Sequence, residues 1–318
     1  MVRTVAARGL DLRLVVAVAA VWILWGSTFA ALRYSVATIP PFVLASGRFM
    51  LAGALLYALC AVRGRARPTR DDVVRAAVTG TTLLLLGNGV VVWTVQFLPT
   101  GINSLLLSLS AVWMALIAFA WGGERPSRVA MAGMLMGFGG MVLLLQPRAT
   151  AALPLWPAIL ALLASISWAF GSVYQRRSPR SSDLMLATAL QMLIGGALLA
   201  LEAALFGEWR GFDVHAIAAA SWGGFAWLVI FGSVFAFSAY LYTMQWAGAA
   251  LASTYAYVNP MVAVILGMIL FHERFTPLEA LAGAIILTGV ALMMLPRTAP
   301  VQTSRAKSPD RHRRAARR

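Results

Sequence analysis

Two ionisable side chains lie inside long apolar runs of this sequence, Arg48 and Glu202, and each could carry a different chemistry. Polar groups in hydrocarbon are costly unless they meet a partner or a cavity, so they are the first candidates for a site. A guanidinium at position 48 could draw the carboxylate or another acidic group of a ligand. It could equally be a structural arginine that reaches outward along the membrane or satisfies helix carbonyls. A carboxyl at position 202 could bind and release a coupling proton, or it could sit in water at an interface. Around these two stands a neutral set made of Ser27, Asn88, Gln96, Ser172, Gln191, Gln245 and Asn259. Aromatic residues accompany it, notably Trp25, Trp168, Tyr240, Tyr255 and Tyr257. A chamber lined this way suits a small amphipathic or aromatic metabolite, held by ring contacts and a few hydrogen bonds. Tyr255 and Tyr257 are two residues apart and cannot share a helix face, so at most one of them points straight into such a chamber. Asn259-Pro260 is a candidate mobile joint, because proline removes a helix hydrogen bond and frees a carbonyl; Gly26 and Gly171 are the other hinge candidates.

Catalytic chemistry finds no comparable support. His215, His272 and His312 are the only histidines, and none has the His-Glu-x-x-His spacing of a zinc protease. Ser172 and Ser233 have no histidine expected at their depth to serve as base. Phosphate-binding Gly-Lys motifs are missing, so energy for any work would come from a gradient. The single cysteine, Cys60, forms no intramolecular disulfide and no metal cluster. The expectation is therefore a protein that is not an enzyme and needs no cofactor or metal.

The elements that must position these residues are set by composition. Of 318 residues, 60% are hydrophobic and only 12% charged, with a mean hydropathy of +0.79, whereas soluble domains carry about a quarter charged residues. Apolar residues arrive in ten blocks, near 14–33, 42–62, 76–96, 101–121, 129–146, 155–175, 184–205, 218–242, 249–271 and 278–295. Their lengths match the roughly 20 residues a helix needs to cross a bilayer. The short connections hold most of the prolines and charges, as in RGRARPTRDDVVR from Arg63 to Arg75. The fold class expected is all-α, a polytopic membrane protein of ten transmembrane helices. The Arg8 and Arg13 arrangement before the first block resembles a signal peptide, but the apolar run is too long for one.

Orientation follows from basic residues, which stay on the cytoplasmic side of the membrane. With both ends inside, 21 of the 26 fall in cytoplasmic segments and only Arg33, Arg148, Arg210 and Arg274 fall outside, Arg48 being within a block. The net charge of +15 is spread over these loops and the tail RAKSPDRHRRAARR, which suits anionic lipid headgroups and does not point to a nucleic-acid partner.

The chain also repeats itself. Glu124-Arg125 recurs as Glu273-Arg274, and the same offset of 149 brings Ser104 onto Ser253, Gln96 onto Gln245, Gly140 onto Gly289 and Pro147 onto Pro296. Earlier helices match with small gaps: the Gly26 segment lies over the Gly171 segment, and Gly53 over Gly196, which sets Gln191 against Arg48. The repeated Glu-Arg pairs read as interfacial boundary residues, each glutamate pairing with its neighbouring arginine. Five helices per copy is an odd number, so the copies enter the membrane from opposite sides. Two inverted halves can exchange inward-open and outward-open shapes around a midplane site, which is a carrier's need. The layout expected is a cytoplasmic segment 1–13, a first repeat 14–147, a second repeat 155–296 and a basic cytoplasmic tail 297–318. Gly133, Gly137 and Gly140, with Gly283 and Gly289, offer close helix contact, either between the repeats or in a homodimer.

Several motifs, in order along residues 12–296, resemble the drug/metabolite transporter superfamily and in particular its ten-helix exporters with two EamA domains. They are LWGSTF (Leu24 to Phe29), Gly47-Arg48-Phe49, GNGVV (Gly87 to Val91), SISWAFGSVY (Ser165 to Tyr174) and STYAYVNPMVAVILG (Ser253 to Gly267). The resemblance implies an inner-membrane secondary transporter exporting small molecules, with the lipid bilayer and a small-molecule substrate as its partners. The chain departs from the family where Ser110-Ala111 stands opposite Asn259-Pro260, since members commonly carry proline at both places.

Overall fold

The computed structural model describes residues 12–65, 67–122, 127–144, 154–178, 183–246, 255–274 and 276–294. Residues 1–11 of the expected N-terminal segment, the basic tail and the Glu124-Arg125 pair lie outside them, as do the side chains of Gln245 and Tyr257. Among the described residues there is no strand, and the chain runs as helices α1 Leu12–Ser35, α2 Pro41–Val62, α3 Arg70–Thr94, α4 Thr100–Ala120 and α5 Arg128–Leu144. These are followed by α6 Leu155–Arg177 and α7 Leu184–Leu205; α8, in three contiguous pieces, Ala219–Trp227, Leu228–Phe235 and Ala236–Trp246; then α9 Tyr255–Phe271 and α10 Pro277–Met294. Seven of them, α1 to α4 and α6 to α8, are long and apolar enough to cross a membrane, while the apolar stretches of α5, α9 and α10 are shorter. The third helix starts earlier than its apolar run because Thr69 and Asp72 close a capping box ahead of that run.

Packing obeys an exchange of halves. The two most extensive contacts are α2 with α7 and α5 with α10; α1 lies against α8 and α9, and α6 lies against α3 and α4. Swapping α1–α5 for α6–α10 maps this list onto itself. Glycines set the two self-paired contacts. A Cβ on Gly53 would come within 2.9 Å of the Leu193 backbone nitrogen, and one on Gly196 within 2.9 Å of the Met50 nitrogen. Gly140 and Gly289 do the same between α5 and α10, where a Cβ would meet Ile286 at 2.7 Å and the Gly133 carbonyl at 2.5 Å. In hydrocarbon, helices associate by close packing of small residues, and here the glycines of the terminal helices serve contact between the halves.

Helix ends repeat as closely. After α2, Arg63, Gly64 and Arg65 donate to the carbonyls of Leu59, Ala61 and Cys60; after α7, Phe206, Gly207 and Glu208 donate to Glu202, Ala204 and Ala203, bond for bond 143 residues later. Gly64 (φ 69) and Gly207 (φ 74) supply the left-handed residue such a cap requires. Helix α3 widens into π geometry over Gly80–Gly89, and α8 widens over Leu228–Phe235. In α3 the cause is legible: Thr79, Thr81 and Thr82 each bond back to the carbonyl four residues earlier, which loosens a helix, and Gly87 and Gly89 follow. The widened turns leave carbonyls for cross-helix donors, Ser167 to Thr82 at 2.8 Å and Trp25 Nε1 to Gly232 at 3.1 Å.

Two glutamates join the halves at one end of the bundle. Glu208 accepts from the Phe42 and Val43 backbone N–H groups at 2.8 and 3.0 Å, capping the start of α2, which opens on prolines and has no side-chain cap of its own. In the other half Asp183 caps the equivalent Met185 and Leu186 N–H groups of α7. Glu273 accepts from the N–H and hydroxyl of Thr100 at the start of α4, at 3.0 and 2.8 Å, and pairs with Arg33 at the end of α1. Sequence reading assigned Glu273 to the adjacent Arg274. The positive φ of His272 instead turns the chain back over α9 and delivers Glu273 to the frayed N-terminus of α4, where a carboxylate is worth more.

Burial holds the Glu208 carboxyl above the ordinary 4.5, with its two N–H bonds pulling the other way. A raised folded value means that this group's contribution to stability is complete below 4.5 and is lost as pH rises through the raised value. Glu208→Gln should therefore flatten the decline in thermal stability of the detergent-solubilised protein across that window, while lowering its stability near neutrality by about 1 kcal/mol through the weaker cap. An unaltered pH slope would exclude this role.

Candidate substrate cavity

Halfway along the bundle the helices leave a cavity of about 100 Å³, walled by α1, α2, α3, α4, α6, α8 and α9. At about 30 Å³ per water it holds on the order of three of them. The fourth helix of each half is weakened beside it. In α9, a continuous helix, Pro260 removes a backbone donor, and α4 is interrupted at Leu109, where Leu109 bonds back to Leu106 and Val112 to Leu109 in tight three-residue steps. Ser110 and Asn259, equivalent by the repeat, both line the cavity. The missing proline of the first half is thus compensated by a different device at the same point.

One wall is aromatic. Trp25 has Phe237, Tyr240 and Tyr255 at ring-centre distances of 5.0 to 5.1 Å and Trp168 at 6.0 Å, three of the four edge-on, the geometry aromatic quadrupoles favour. Trp168 Nε1 donates to the Tyr255 hydroxyl at 2.9 Å. The other wall is polar. Arg48 is 2% exposed, donates from Nε to Ser233 Oγ at 2.8 Å, and lies over the Phe49 ring at 4.7 Å. It neither reaches out of the membrane nor caps a helix, and no carboxylate lies within ion-pair distance of it among the described residues. Asn259 Oδ1 is buried with no hydrogen-bond partner, and Asn88 completes the neutral lining.

Of the residues singled out by sequence, Trp25, Arg48, Asn88, Asn259 and the hinge residue Pro260 meet at this cavity. Others stand apart from it. Ser27 bonds to the Leu24 carbonyl and accepts from Trp227 on an outer seam. Gln96 is exposed, bonded to the Trp93 carbonyl, and lines a separate cleft of about 460 Å³ with Arg33 and Glu273. Gln191 is buried between α7 and α3, its carbonyl 3.0 Å from where a Gly80 Cβ would be. Tyr240 packs on Trp25 and faces Ser172, and neither is among the residues that line the cavity. Gly26 and Gly171 are close-approach points: a Cβ on Gly26 would meet Val262 Cβ at 2.6 Å, and one on Gly171 would collide with Thr82. Glu202 is half-buried at the end of α7, with Oε2 enclosed, unpartnered and 3.5 Å from a Gly89 Cβ position. This is not the solvated interfacial setting its place near the helix end suggested.

Thr28, Ser104 and Ser108 line the cavity without having stood out in the sequence. Each satisfies its hydroxyl on a carbonyl three residues back, at 2.6 to 2.7 Å, so in a helix they read as inert. The i, i+4 spacing of Ser104 and Ser108 within SLLLS was the available signal.

A central chamber between two like halves is the layout of a repeat-built membrane transporter. The EamA-like transporter family model matches residues 12–146 and again 155–295, and the chain belongs to that family. It is similar to the uncharacterized inner membrane transporter YedA of Escherichia coli (strain K12), 36% identical over 280 residues covering 87% of this chain and 89% of that protein. It is also similar to the uncharacterized transporter YvbV of Bacillus subtilis (strain 168), 25% identical over 85% of this chain and 88% of the relative. A solved crystal structure, 22% identical, matches 88% of this chain and 95% of its own with a TM-score of 0.63, a likeness of fold.

An unpartnered buried amide contributes nothing to folding that an apolar group of similar shape would not. Asn259→Leu should leave the melting temperature unchanged or a few degrees higher while reducing transport. A fall of several degrees would mean that Oδ1 is satisfied in the folded protein.

Proposed function

We propose that the protein is an inner-membrane secondary transporter that exports small amphipathic metabolites by alternating access. The observation that carries this reading is the cavity itself, held between both halves beside the interruption of α4 and Pro260 of α9. The halves, α1–α5 and α6–α10, are read as inverted repeats of five spans each, so that ten helices cross the membrane with both termini in the cytoplasm. The 21 basic residues in the segments then assigned to the cytoplasm favour that orientation.

Because the contacts between halves are symmetric, rocking one half against the other can open the chamber at either end with little change inside each half. Leu109 and Pro260 are where α4 and α9 bend, and the glycine seams of α2–α7 and α5–α10 are the surfaces that stay packed. In this reading the end bearing Glu208 and Glu273 is the outer one, and the Arg33–Glu273–Thr100 contact tethers α1, α9 and α4 there. Glu202, with one carboxyl oxygen unpartnered, is the candidate for a coupling proton. Inner-membrane residence and a transport role are also supported by the resemblance to YedA, which is named as an inner membrane transporter.

In proteoliposomes the protein should show saturable uptake stimulated by internal substrate, with no unitary currents; discrete currents would replace the carrier by a channel. Pro260→Ala should lower that counterflow at least tenfold with unchanged insertion, since restoring the helix hydrogen bond straightens α9. Glu202→Gln should abolish stimulation by a pH gradient and spare counterflow. Gradient-driven flux that survives Glu202→Gln would remove this residue from coupling.

A further inference from the structure

The charge inventory of the cavity is one-sided. Its lining holds one guanidinium, Arg48, no carboxylate, and otherwise aromatic rings, two asparagines, hydroxyls and aliphatic side chains. Arg48 keeps its charge at any physiological pH, is 2% exposed, and spends Nε on a neutral hydroxyl. A cation inside an apolar span calls for a counter-ion, since unpaired burial is among the costliest arrangements a protein can keep. Among the described residues no protein group supplies one. Gly232 holds the site open beside it, since a Cβ there would stand 3.1 Å from the Arg48 Nη2 and 2.9 Å from Thr28.

The geometry points to a small organic monoanion, an aromatic or branched carboxylate, as the ligand of this cavity. This rests on the carrier reading above and narrows its substrate class. The carboxylate takes the two free arms of the Arg48 fork, the arrangement guanidinium groups favour. The apolar body lies against Trp25, Trp168 and Tyr255, with Asn88 and Asn259 as neutral polar neighbours. A volume near 100 Å³ is on the scale of a single ring and far below that of a nucleotide. Amines and quaternary ammonium drugs are disfavoured because they would meet Arg48 with no carboxylate to receive them. Export of a monoanion also draws on the membrane potential, which favours outward accumulation about fiftyfold per 100 mV for each negative charge.

The test compares benzoate, its neutral analogue benzamide and the cation benzylamine for binding to the detergent-solubilised full chain. Wild type should bind benzoate at least tenfold more tightly than benzamide, and benzylamine more weakly than either. Arg48→Gln should bring the benzoate-to-benzamide ratio close to one, with a monodisperse gel-filtration peak like that of wild type showing that the variant is folded; Arg48→Lys should retain part of the preference. In proteoliposomes, efflux of the permanently charged benzenesulfonate should rise with an interior-negative potential. A ratio near one in wild type, a ratio unchanged in Arg48→Gln, or tightest binding of benzylamine would each overturn the assignment. Counterflow of zwitterions or cations with no benzoate preference would overturn it and leave the carrier standing. Loss of carrier-type flux for every class would instead remove the carrier, with the binding ratio still reporting on the pocket.

Discussion

Backbone N–H and C=O groups that leave a helix inside a membrane have no water to turn to, and much of this structure is an answer to that constraint. Helices α2 and α4 begin on N–H groups that their own residues do not cap, and Glu208 and Glu273 reach them from the other half of the chain. The widened turns of α3 and α8 release carbonyls that Ser167 and Trp25 take up, again from the opposite half. Hydrogen bonds that would be local in a soluble bundle become the means by which the two halves hold each other.

The same constraint explains where the cavity is. Backbone groups freed in α4 or α9 are tolerable only where they face protein or a polar space, and Ser110 and Pro260, at the two such points, line the one chamber. Proline removes a donor from α9; tight turns around Leu109 interrupt α4, so the two halves loosen equivalent points through unlike sequence. Trp25 joins the two themes. Its indole nitrogen satisfies the α8 carbonyl, while its ring is the centre of the aromatic wall.

The repeat was legible in the sequence because polar residues coincide at one offset: the Glu-Arg pairs, Gln96 with Gln245 and Ser104 with Ser253. The site was legible only in part. Arg48, Asn88, Asn259 and Trp25 stood out because polar or large aromatic residues in apolar runs are conspicuous, and they do meet at the cavity. Ser27, Gln96 and Gln191 were equally conspicuous, yet they face a seam, a cleft mouth and a helix contact. Depth along a helix can be counted from its ends, but azimuth depends on packing angles that a π turn shifts, and α3 and α8 both contain one.

Composition, block length and offset by themselves determined an all-helical membrane protein of two related halves in the EamA family, because hydrocarbon admits few backbone solutions and repetition survives in the glycines. Which arginine serves structure and which faces a void was decided only by the tertiary fold. Arg33 finds Glu273 and Arg65 finds Asp183, across 240 and 118 residues of chain, while Arg48 finds a serine and the cavity. Charge is a property of a residue, but pairing is a property of the space around it, and that space exists only once the two halves have closed on each other.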